Sequence, residues 1–170
     1  MLANLTTFTL AHVAISLVGI ISGFVMLYGL LTAKRFEATT ALFLATTVAT
    51  SVTGFFFPVH HFMPSHGVGI ISLLVLPIAY YARYGRHLLG NWRWTYVVAA
   101  MVSLYLNVFV LVVQSFLKVP ALRALAPTGS EPPFAVAQGV VLVAFVVLTI
   151  LAGRRFRVER TVRVERLVSV

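Results

Sequence analysis

Five apolar runs, each roughly 20 residues long, follow one another at about 7–33, 39–57, 66–83, 94–117 and 134–152. A helix needs about 20 residues to cross a hydrocarbon core of about 30 Å, whereas a barrel strand needs only about 9–11. In lipid, only helices and closed barrels satisfy their own backbone groups. Runs of this length therefore predict an all-α, polytopic membrane bundle of five transmembrane helices. Composition agrees. Of 170 residues, 60% are hydrophobic and 10% charged, against about 25% charged in soluble domains. So few charges could not cover so large a core in water. A single transmembrane bundle is expected over 1–153, with a basic tail over 154–170.

The charges set the expected threading. If the runs alternate in direction, one face receives Lys34, Arg35, Arg83, Arg86, Arg93, Arg154, Arg155, Arg157, Arg160, Arg163 and Arg166. The other receives only Lys118 and Arg123. The positive-inside rule then predicts an amino terminus outside and a carboxy terminus in the cytoplasm of a bacterial-type inner membrane. The net charge of +9 serves this threading and attraction to anionic lipid, at about 1 kcal/mol per basic residue near the surface. Nucleic acid is not needed to explain it. No Lys or Arg precedes Lys34, which leaves no basic region for a cleaved signal peptide, so the first run is expected as a retained span. The second run carries seven Thr and Ser and is the weakest span, but removing it would destroy the charge asymmetry. In the tail, "RVER" occurs twice and valines fall at 158, 162, 164, 168 and 170. That alternation suits an extended strand on the lipid surface, or a docking strand for a partner.

This threading brings four of five histidines to the outer face. His60 and His61 end the second run, His66 opens the third after Ser65 as a candidate N-cap, and His12 lies near the start of the first. His87 falls on the opposite side. His12, Ser16, Gly19 and Gly23 share one helix face by their spacings, and Gly19 to Gly23 form a GxxxG step that admits a close neighbour. Thr46, Thr50 and Gly54, with Thr47 and Ser51 beside them, offer a matching surface on the second run. Ser103, Asn107 and Gln114 form a polar strip on the fourth run, with Gln138 opening the fifth and Glu131 just before it. Asn107 lies 11 residues from Lys118, roughly 16 Å deep at 1.5 Å per residue.

Neutral imidazole ligates zinc, copper and iron. His12, His60, His61 and His66 without a thiolate point to copper or zinc, and the thioether of Met63 tilts the choice to copper. Glu131 could orient one of these imidazoles as a carboxylate partner. A b-type haem is the second expectation, held axially by His12 and His66 with its ring on Gly19 and Gly23. In architecture alone, that arrangement resembles the small-residue haem grooves of membrane b-type cytochromes. Other chemistry is poorly served. There is no cysteine for a disulfide or an iron–sulfur cluster, no carboxylate lies inside a run for acid–base work, and no internal repeat of a transporter is visible. No catalytic residue is assigned. The competing expectation is a non-catalytic accessory or assembly subunit of a larger membrane complex, in contact with a membrane-protein partner or a second copy. The aromatic residues of "YYARY" and "NWRW" are expected as an interfacial belt, and Pro77 as a kink that frees the carbonyl of Leu73.

Overall fold

The computed structural model describes residues 2–57 and 64–156. Six helices follow in order: α1 (Leu2–Leu31), α2 (Glu37–Gly54), α3 (Pro64–Tyr80), α4 (Trp92–Lys118), α5 (Pro120–Leu125) and α6 (Pro132–Arg155). Among the described residues there is no strand. Four helical stretches are long and apolar enough to cross a membrane: Thr6–Leu31, Ser65–Gly85, Trp92–Lys118 and Pro132–Arg155. The second expected run does form a helix, but α2 is too rich in threonine to join those four. Two of its hydroxyls are satisfied within the helix, Thr46 donating to the Leu42 carbonyl and Thr53 to that of Ala49, each at 2.7 Å. Donation to a carbonyl four residues back removes the free polar atom that would otherwise oppose burial.

The helix ends have local causes. Lys34 N–H bonds the Gly29 carbonyl at 2.8 Å, and Ala33 takes φ 56°. This is a Schellman ending with alanine where glycine is usual. Pro77 does not break α3, which runs on to Tyr80 and widens into a π turn over Tyr81–Gly85. The chain then reverses through His87 and Leu88, at φ 50° and 60°. α4 stops where Val119, preceding Pro120, turns extended, as the residue before proline must. α5 lies between the fourth and fifth expected runs. α6 opens on two prolines after Glu131, positions where a missing N–H costs no bond. Because α3 begins at Pro64, Ser65 lies inside the helix and is not its N-cap.

α4 is the hub, packing against α1, α3 and α6, while α2 packs against α1 and α3. α4 is half buried along its apolar length, whereas α6 is scarcely buried, so α6 lies on the outside. Tyr96, Phe43, Met101, Leu104 and Val97 fill the centre. One end of the bundle gathers the contacts Arg83–Glu37, Tyr81–Trp92 and Tyr96–Phe156. The other gathers His12–Phe57, Phe55–His66 and Phe116–Phe134. These are the basic end and the histidine end below.

Candidate functional site

At the histidine end, α1 and α2 form a polar seam. The Thr53 hydroxyl has one hydrogen and lies 2.7 Å from both the Ala49 carbonyl and His12 Nδ1. Both contacts are hydrogen bonds at once when Thr53 donates to the carbonyl and the ring donates from Nδ1, the tautomer that satisfies the pair. In a neutral imidazole this leaves the lone pair on Nε2. Phe57 packs edge-on to the ring at 5.1 Å, and Gly54 faces its Cε1. One turn further in, Ser16 donates to the His12 carbonyl at 2.7 Å and approaches Thr50 Oγ1 at 3.3 Å. The small-residue face of α1 thus turns toward α2, and it is full. A Cβ on Gly19 would sit 3.1 Å from Thr46 Oγ1, and one on Gly23 would meet Leu104 Cδ1 and, at 3.0 Å, the Phe43 ring. No space is left there for a flat macrocycle, because α2 and α4 already fill it.

His66 stacks on Phe55, their rings 5.6 Å apart. With α2 packed against both α1 and α3, His12 and His66 attach to different residues at the end of α2, Thr53 and Phe57 for one and Phe55 for the other. His60, His61 and Met63 lie outside the described residues, as does the tail beyond Phe156. Among the described residues, no group of three or more His, Cys, Asp or Glu side chains is close enough to hold a metal ion.

The polar strip divides. Asn107 Nδ2 donates to Thr47 Oγ1 at 3.0 Å, Ser103 returns to the Ala99 carbonyl at 2.9 Å, and Gln138 Nε2 reaches the Phe109 carbonyl at 3.2 Å. The Gln138 Oε1 atom is buried without a partner. Gln114, expected in the same strip, is exposed on the bundle surface. Glu131 is no partner to a histidine. Its carboxylate accepts from Thr128 N–H and Oγ1, each at 2.9 Å, and from Ser130 N–H at 3.1 Å. The Thr128 N–H, first among these donors, holds the Glu131 carboxyl below its ordinary range, because each bond favours the charged form.

The basic end holds a site that composition hid. Arg83, expected as a threading charge at the surface, is buried, its side chain 5% exposed against 62% for Glu37. Its Nη2 donates to Glu37 Oε2 at 2.6 Å. Its guanidinium lies over the rings of Tyr96 at 5.1 Å and Tyr84 at 5.7 Å. Arg83 Nε has no partner, and the Tyr96 hydroxyl faces Thr40 without a well-formed hydrogen bond. The available signal was Glu37, the only acidic residue before 131, on a helix that the threading makes a neighbour of Arg83. Nearby, Arg93 Nη1 donates to the carbonyls of Gly153, at 2.8 Å, and Phe156, capping α6 with positive charge as its dipole favours.

Fold and site together define a helical bundle of membrane type with one histidine-bearing and one arginine-bearing end. Compared with known proteins, the chain matches no family model, no curated protein and no solved structure.

Proposed function

We propose that the chain is an integral protein of a cell inner membrane, threaded five times with its amino terminus outside, and that its outward end binds a transition metal ion, copper before zinc. The threading is supported by α2, whose 18 residues extend about 27 Å at 1.5 Å per residue, close to the hydrocarbon thickness. One observation carries the metal reading: His12 Nδ1 lies 2.7 Å from a Thr53 hydroxyl that also reaches the Ala49 carbonyl, an arrangement satisfied by a proton on Nδ1 and a lone pair on Nε2. Metal-bound histidines have this arrangement, with the second nitrogen held by a hydrogen bond that sets tautomer and ring orientation. His60 and His61 follow Phe57 by three and four residues, and Phe57 touches the His12 ring. Met63 adds the soft sulfur that favours copper. A metal ion needs less room than a haem, and the filled Gly19–Gly23 face favours the ion.

Elemental analysis of detergent-purified protein after loading with copper or zinc tests the proposal. It expects one tightly held ion per chain, lost in His12→Ala and weakened roughly 10–100-fold in Thr53→Val, which keeps the shape but removes the Nδ1 partner. Metal-free protein after loading, with folding intact, would favour the accessory-subunit reading instead.

A further inference from the structure

On the outside of the bundle, α4 and α6 leave between them an apolar groove of about 240 Å³. Met101, Val102 and Tyr105 line one wall and Phe145, Val146 and Ile150 the other. Thr149 adds no polarity, because its hydroxyl is closed onto the Phe145 carbonyl at 2.6 Å. The groove has a direction. On α6, Val146, Ile150 and Arg154 are four residues apart and therefore share one face. On α4, Val102, which lines the groove, shares one helix face with Val98 and Trp94 at the same spacing. At the basic end the two helices close up: a Cβ on Gly153 would collide with the Cε3–Cζ3–Cη2 edge of Trp94. Arg154, the next residue on α6, is exposed, while Arg93 is occupied by the α6 carbonyls.

We propose that this seam binds one anionic phospholipid, with an acyl chain in the groove and the phosphate at Arg154. Position supports it. The groove runs along α6 from Leu142 to Ile150, roughly 12 Å of helix at about 1.5 Å per residue, and Arg154 lies about one turn beyond Ile150 on the same face. Charge supports it as well, because an exposed guanidinium stands at the end of the groove where the phosphate of such a lipid would lie. A zwitterionic lipid could fill the groove but would gain less from Arg154. The inference rests on the membrane reading and not on the metal site.

Native mass spectrometry of protein taken from bilayers of equal phosphatidylcholine and phosphatidylglycerol tests it. One phosphatidylglycerol should be retained preferentially. Arg154→Gln should weaken that retention about fivefold, the equivalent of about 1 kcal/mol per arginine at the surface, and Val146→Trp should abolish it by filling the groove. Arg86→Gln, at the same end, and Leu74→Trp, on the exposed face of α3, should leave it unchanged. Equal losses in those two variants, unchanged retention in the first two, or a dimer dissolved by Val146→Trp would each overturn the lipid site. Protein that washes off membranes in carbonate would overturn the membrane reading and this proposal with it, whereas normal membrane partitioning without lipid preference overturns the site alone.

Discussion

Arg83 and Glu37 form an unequal pair, and that inequality can be measured. Replacing Glu37 by Ala leaves a guanidinium with 5% exposure and no counter-charge. Breaking a fully buried pair from one side costs about 3–5 kcal/mol. Glu37 is 62% exposed, so water already screens part of its charge, and the expected loss falls to about 1–3 kcal/mol, in the range of a hydrogen bond to a charged group. Replacing Arg83 by Met removes the buried charge together with the orphaned Nε. It forfeits the ring contacts with Tyr84 and Tyr96, about 0.5–1 kcal/mol each, and returns Glu37 to water at no cost. Arg83→Met should therefore change stability by only about 1 kcal/mol, since apolar replacement of a buried ion is often neutral. The double variant should match Arg83→Met alone, giving a coupling of about 1–3 kcal/mol across the cycle. Unfolding in SDS, followed by tryptophan fluorescence, reads this end directly, because Trp92 packs edge-on to Tyr81 at 5.3 Å. Additive single variants, or an Arg83→Met loss larger than that of Glu37→Ala, would refute the burial argument.

Gly23→Ala should destabilise by about 1–3 kcal/mol through overpacking, since Leu104 and Phe43 are both fully buried; the same unfolding assay checks it. Asn107→Val should cost about 0.6–1.7 kcal/mol, the measured scale of interhelical polar bonds in membranes, and the loss should vanish in a Thr47→Val background. The Glu131 turn should be pH-dependent. Because the folded carboxyl titrates lower than the unfolded one, its contribution is complete above the unfolded pKa and is lost as pH falls through the folded value. Amide chemical shifts of Thr128 and Ser130 should follow one transition below the ordinary glutamate range, absent in Glu131→Gln.

Much of the helix layout was legible because run length acts over whole helices. The helices at Trp92–Lys118 and Pro132–Arg155 begin and end within a few residues of the expected runs, and α3 absorbs Pro77 without breaking. What was not legible depends on side-chain direction. Gln114 shares a register with Asn107, yet two turns further along α4 it is exposed, because whether a neighbour covers a helix face depends on where that neighbour ends. Arg83 counts as a surface charge by sequence position, yet the π turn carries it inward beneath Tyr96. Gly19 and Gly23 signalled close approach, but only three dimensions show that Thr46, Phe43 and Leu104 are what approach. At the histidine end, spacing grouped His12 with Ser16 but could not show that the Thr53 hydroxyl reaches both its own helix and the His12 ring.

Nitrogen-15 correlation spectra of histidine-labelled protein, with His12 assigned by a His12→Asn variant, reach the central claim most directly. The expected spectrum has a protonated Nδ1 and an unprotonated Nε2 at His12, with Nε2 alone moving and saturating at one equivalent of copper(I) or zinc. A proton on Nε2, or a His12 signal indifferent to metal at any ratio, would contradict it.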